Sequence, residues 1–133
     1  MKSQKIDLRK IAETLREQCP FILFAMLNGL DEEGRLKWLG NLELSVLVGS
    51  DTGTWSALEQ IIPAISAAVP DVFCDVTLLN RVDAITRFRA VHGLCLFIRE
   101  GREQHFHKFV LHANLDYRIM RAHQRRNGII ENE

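Results

Sequence analysis

The chain lacks any apolar run long enough to cross a membrane, and its opening residues, Met1-Lys2-Ser3-Gln4-Lys5, contain no secretory hydrophobic region. Both absences set the expectation of a cytoplasmic protein. Surplus charge is missing too. Lys plus Arg number 17 and Asp plus Glu 17, a net charge of zero. This excludes a dedicated nucleic-acid binder held by bulk electrostatics, while leaving room for a local basic face. Cysteine is sparse. Cys19, Cys74 and Cys95 are odd in number, far apart and set in or beside apolar segments, which reads as buried reduced thiols and not as a disulfide framework or a metal site. The Gly-rich stretch Gly49-Ser50-Asp51-Thr52-Gly53 has no phosphate-loop lysine; a turn with a helix cap accounts for it. No repeat, low-complexity tract or linker interrupts the chain.

What is present is the composition of an ordered globule. The 133 residues are 47% hydrophobic, enough for one domain with a proper core. Asp7 is placed to cap a first helix with Leu8, Ile11, Ala12 and Leu15 on one face, ended by Pro20. Phe21 to Leu27 is a short continuous apolar run, read as a strand buried on both faces. Asp31-Glu32-Glu33-Gly34 is a turn signal. Two structures fit the connection over 28–40: an excursion, or a long hairpin in which Leu36 to Leu39 extends the next strand backward.

Leu42 to Val48 alternates, with Leu42, Leu44, Val46 and Val48 on one face and Asn41, Glu43 and Ser45 on the other. A helix follows with Trp55, Leu58, Ile61, Ile62, Ile65 and Val69 on its apolar stripe. Ser56 and Glu59 have capping-box spacing, and Pro63 is expected to kink it. Val72 to Leu79 reads as a strand. Val82, Ile85, Phe88 and Ala90 read as a short helix ended by Gly93, Leu94 to Ile98 as a strand and Glu103 to Arg126 as a long helix. The order predicts an α/β fold with a small mixed sheet and packed helices.

Two segments carry candidate chemistry: Asn28-Gly29-Leu30 followed by Asn41-Leu42-Glu43-Leu44, and Phe73-Cys74-Asp75-Val76-Thr77-Leu78-Leu79-Asn80. Together with the element order they resemble the minimal nucleotidyltransferases of the polymerase-β-like superfamily, over nearly the whole chain. The resemblance implies a single nucleotidyltransferase-like domain over 1–126 and a flexible tail over 127–133. Members of that family use a Gly-Ser turn, an Asp-x-Asp strand and a third acid on the neighbouring strand. Two acids at i and i+2 share a strand face. Carboxylates hold divalent metals that clamp the attacking and leaving oxygens, and the third acid helps to deprotonate the hydroxyl.

Mapped residue by residue, Gly29 keeps the turn, but Leu30 stands where Ser is expected and Asn41 where the first Asp is expected. The resemblance implies nucleotide binding by Gly29 and Asn41. It implies metal ligation by Glu43 and Asp75 with Asn41 as a weaker ligand, and a catalytic role for Asp75 if the chain is active. Mg²⁺ with ATP or another nucleoside triphosphate are the implied cofactors, with one Mg²⁺ more plausible than two on the surviving carboxylates. The implied function is a protein with weakened or lost nucleotidyl transfer, acting as a nucleotide-binding or antitoxin-like partner of a small helical protein of the HEPN type, or as a homodimer. One alternative is an active Mg²⁺-dependent nucleotidyltransferase moving a nucleotide onto a protein or small acceptor. Another is a structural or self-association domain.

Other signals have plainer readings. Arg81, Arg87 and Arg89 follow the third strand, and Arg118, Arg121, Arg125 and Arg126 decorate the last helix, where a cation suits the helix dipole. His105 and His112 share a helix face but lack a third ligand for metal. Phe106, Phe109, Val110 and Tyr117 read as core packing, and the outer edge and Arg-rich last turns of that helix as the candidate partner surface.

Overall fold

A computed structural model describes residues 5–37 and 40–128. The elements run α1 (Leu8–Gln18), β1 (Ile22–Asn28), β2 (Leu42–Val48), α2 (Thr54–Ala68), β3 (Cys74–Leu78), a 3₁₀ turn at Leu79–Arg81, α3 (Ala84–Val91), β4 (Leu94–Ile98) and α4 (Glu103–Arg126). The four strands form one mixed sheet in the order β3-β2-β1-β4. β1 pairs antiparallel with both β2 and β4, and the crossover through α2 makes β2 and β3 parallel.

The sheet is a septum between two helical layers. On one face Leu42, Leu44, Val46 and Val48 join Ile22, Ala25 and Leu27 of β1, Ile11 and Leu15 of α1, and Ala57, Ile61 and Ile65 of α2 in one cluster. On the other, Phe24, Leu47, Leu79 and Ala90 form a smaller cluster with Phe106 and Phe109 of α4 packed against it. Both phenylalanines meet Phe24 edge-on, with centroids 5.1 and 5.3 Å away. β1 feeds both clusters by alternation, and an irregularity between Ile22 and Phe24 places these two residues, two apart in sequence, in different clusters.

Local chemistry fixes the ends. Asp7 caps α1 by accepting from Lys10 N at 3.1 Å, and Asp83 caps α3 by accepting from Thr86 N at 2.8 Å. The C-terminus of α1 is held by Arg99 from beyond β4. Its guanidinium donates to the carbonyls of Arg16, Cys19 and Ile22 at 3.0–3.1 Å and lies over the Phe97 ring. Partial burial pulls its pKa below the usual arginine value. Asn80 clamps the end of β2, accepting from Val48 N at 3.0 Å and donating to Val48 O at 2.8 Å.

Several expectations are corrected. β1 is shifted one residue, β3 begins at Cys74 instead of Val72, and Leu79 turns into the 3₁₀ segment. Trp55 and Ile62 are exposed, at 76% and 48%, because the sheet-facing side of α2 is built from Ala57, Ile61, Ala64, Ile65 and Ala68. The cap of α2 is Gly53, without a side-chain bond, so Ser56 and Glu59 form no capping box at its start. The helix runs through Pro63, which is exposed. All three thiols are free, but only Cys19 is buried, whereas Cys95 is exposed on the edge strand β4.

The connection after β1 is an excursion. Leu30 bridges Leu36, Asp31 N donates to Arg35 O, and Lys37 N donates to Gly29 O, so 29–37 folds back on itself before β2 begins. Residues 38 and 39, part of the expected backward extension, lie outside the described residues. So do 129–133 of the expected tail. Asn127 and Gly128 close α4, donating to His123 O and Arg125 O. Among the described residues no helix is long and apolar enough to cross a membrane.

Candidate functional site

The parity of β2 turns Glu43 away from the larger cluster, and pairing turns its neighbours the same way. Asn28 of β1 is the antiparallel partner of Glu43, and Asp75 of β3 is its parallel partner. The three residues therefore form a row across three adjacent strands on the α3 face. Asn41 stands just before β2, and Gly29 directly follows Asn28. These residues line an open cleft of ≈ 550 Å³ together with Lys37, Gly40, Phe88, Arg89 and His92.

The glycine is demanded by the backbone. Gly29 has φ +108°, and a Cβ there would collide with the carbonyl oxygen of Asn41. The turn thus brings the end of β1 against the start of β2 and sets the floor of the cleft. Gly93 serves a close approach: a Cβ at this position would run into the Asn28 amide. The amide of Gly93 donates to Ala90 O at 3.0 Å, ending α3 as expected.

The remaining wall is α3. Phe88 stacks on Tyr117 of α4, with centroids 3.8 Å apart and planes 13° apart, and meets His92 at 4.3 Å. Arg87 pairs with Asp116 at 3.3 Å and donates to Val82 O at 3.0 Å. The Thr86 backbone N–H and hydroxyl hold the Asp83 carboxyl below its ordinary pKa. With α3 anchored in this way, Arg89 projects over the sheet, its Nη2 3.9 Å from Glu43 Oε1. His92 is engaged by Asn114, Nε2 to Oδ1 at 2.9 Å.

Gly29, Asn41, Glu43 and Asp75, the positions singled out in the sequence, thus share one cleft. Leu30 does not enter the site as a missing hydroxyl. It packs against the larger cluster, as does Leu36 across the bridge. Arg81 lies at the other end of the sheet beside Gly49–Thr54. His105 packs edge-on to Phe24 at 6.2 Å. Among the described residues no three His, Cys, Asp or Glu side chains gather to hold a metal.

Sequence reasoning passed over the Asn28 side chain and Lys37 as site residues. Asn28 was hidden because its direction follows from the register with Glu43, a long-range property. Lys37 enters through the fold-back of 29–37, which short-range turn signals leave open. The Glu43–Asp75 pair is flanked by two asparagine amides, and Glu43 already faces the Arg89 guanidinium. The same set lacks the negative charge for a pair of metals.

No family model matches the sequence, and no curated protein matches it. Solved structures do. A chain from a mutant form of the toxin–antitoxin pair MntA–HpeT superposes with a TM-score of 0.71 at 20% identity, over 90% of this chain and 94% of that one. A chain of a toxin–antitoxin structure with AMP-PNP gives 0.69 at 18% identity, over 90% and 94%. A complex of tri-AMPylated Shewanella oneidensis HEPN toxin with MNT antitoxin gives 0.65 at 18% identity, over 89% of each chain. The element order, the mixed sheet and these superpositions agree: the chain has the minimal nucleotidyltransferase fold of the MntA antitoxins.

Proposed function

We propose that the chain is the antitoxin-like member of a two-protein system, binding a nucleoside triphosphate in the cleft and docking on a small helical protein of the HEPN type, with nucleotidyl transfer lost or very slow. The observation that carries this reading is the row Asn28, Glu43 and Asp75 beside the Gly29 turn, a nucleotide-sized cleft in which two of the expected catalytic groups are replaced. Asn41 supplies no charge, and no hydroxyl takes the place of the turn serine, because Leu30 is turned into the core. Each lost preorganised contact to developing charge costs about 10²–10³ in rate.

The docking part draws support from the structural neighbours, which are toxin–antitoxin proteins, and from α4. Leu111, Leu115 and Ile119 are 56%, 44% and 67% exposed. Their i, i+4, i+8 spacing makes one outward stripe. Lys108, Arg118 and Arg126 are exposed on the same side. Around that stripe a second copy of this chain would bring like charges together, which favours an acidic helical partner over a homodimer. The zero net charge speaks against tight DNA binding.

The test is to incubate the chain and a co-purified helical partner with ATP and Mg²⁺ and follow the partner by intact mass. No AMP adduct above the level without the chain is expected. Adduct formation at an ordinary enzymatic rate, abolished by Asp75→Ala, would replace this reading with the Mg²⁺-dependent nucleotidyltransferase. That second reading is favoured by the side-by-side placement of Glu43 and Asp75.

A further inference from the structure

The cleft contains its own cations. Lys37 and Arg89 line it with Glu43 and Asp75, so fixed positive charge balances fixed negative charge. A two-metal phosphoryl-transfer site works the other way: clustered carboxylates of net negative charge hold cations, and the cations hold phosphate. Here the carboxylate best placed to take a metal, Glu43, already faces a guanidinium at 3.9 Å. The neighbouring position that would add negative charge is Asn41. The donor set does not fit the paired metal centre.

Resting on the nucleotide-binding reading above, we propose that the cleft takes the polyphosphate of a nucleoside triphosphate without a metal, with Arg89 and Lys37 as its phosphate ligands and Glu43 as the carboxylate that holds Arg89 over the sheet until phosphate displaces it. A guanidinium is always charged and presents a planar fork of donors to phosphate oxygens. Arg89 reaches the cleft from a fixed base, since α3 is capped by Asp83, tied to α4 through Arg87 and Asp116, and stacked through Phe88 on Tyr117. Its side chain is 70% exposed and its contact with Glu43 is long. Such a pair contributes little and is readily exchanged for a dianionic oxygen cluster. Lys37 reaches the same cleft from the fold-back of 29–37, where its backbone N–H is held by Gly29 O at 3.0 Å.

The experiment is calorimetric titration of the full chain with ATP in EDTA and in Mg²⁺. Binding in EDTA is expected to equal or exceed binding in Mg²⁺, because metal-free ATP carries more negative charge to the two cations. Arg89→Gln is expected to weaken binding in EDTA about tenfold, the loss of one charge-assisted contact. Glu43→Gln separates the two arrangements by sign. If Arg89 holds the phosphate, removing the competing carboxylate tightens ATP in EDTA; if a metal does, removing its ligand weakens ATP in Mg²⁺. Tightening of the wild type by Mg²⁺ of more than about tenfold, or weakening by Glu43→Gln, overturns the metal-free arrangement and leaves nucleotide binding intact. Absence of ATP binding in both buffers overturns the nucleotide reading itself.

Discussion

The face of the sheet under α1 and α2 is sealed, while the face under α3 and α4 is only half covered. On the sealed side Leu42, Leu44, Val46 and Val48 of β2 are all buried against the two helices. On the other side α4 covers Phe24 through Phe106 and Phe109, and α3 contributes Ala90. Neither helix covers the row of Asn28, Glu43 and Asp75. Both faces belong to the same four-stranded sheet, so the difference lies in what packs on them. Stability is concentrated where coverage is complete, and chemistry is possible where it stops. Charged side chains at the row keep their water, and so avoid the desolvation cost that closure would impose.

The largest effect separating the faces is expected from paired core and cleft substitutions. Leu44→Ala removes a fully buried side chain and is expected to cost about 2–5 kcal/mol. Asp75→Asn, on the adjacent strand but facing the cleft, is expected to stay within about 0.5 kcal/mol. Urea unfolding of the two variants checks this. A cleft substitution as costly as the core one would erase the contrast. Arg99→Met comes next. It strips three carbonyls at the end of α1, β1 and the intervening turn of their donors and is expected to cost about 2–3 kcal/mol, visible as a fall in thermal midpoint.

A third pair sharpens the boundary between the faces. Leu30 packs on the sealed side, so Leu30→Ser is expected to cost roughly 1–2 kcal/mol of lost burial without improving ATP binding. Asn41→Asp adds charge in the cleft without touching the core. It is expected to leave the unfolding midpoint nearly unchanged and to strengthen the Mg²⁺ dependence of ATP binding. A gain in ATP affinity from the serine would put residue 30 back in the site.

The smallest effect concerns pH. Cys74 packs at the margin of the sealed cluster. Burial pushes its thiol pKa from 9.0 to about 11, opposed by a backbone hydrogen bond at Leu44 and reinforced by the Asp75 carboxylate. The folded chain thus holds this proton more tightly than the unfolded chain. Its contribution is complete below pH 9 and lost as pH rises toward 11. Cys74→Ala is expected to show a shallower loss of stability over that window than the wild type, measured as urea midpoints.

Much of the fold was legible because it rests on short-range rules. Alternation gave the limits and the inward face of β2, and Asp7 gave the start of α1. The length of α4 followed from one sustained helical pattern. The stripe of α2 was misread because alanines carry its buried side while Trp55 and Ile62, more hydrophobic by type, face water. Of the site, Gly29, Asn41, Glu43 and Asp75 were singled out by motif and spacing. The direction of Leu30 was not, because a residue in a turn has no periodicity to betray which side it packs on.

By itself, then, the sequence determined which residues alternate, where helices start, and that Glu43 and Ser45 share a face of β2, since backbone geometry repeats every two or 3.6 residues. Only the tertiary structure decided that Asn28, Glu43 and Asp75 stand in one row, because strand register is set by the pairing of distant segments. It also decided that Arg89 comes to rest over Glu43, since α3 must first dock on α4 before its outward side chain has a place to point.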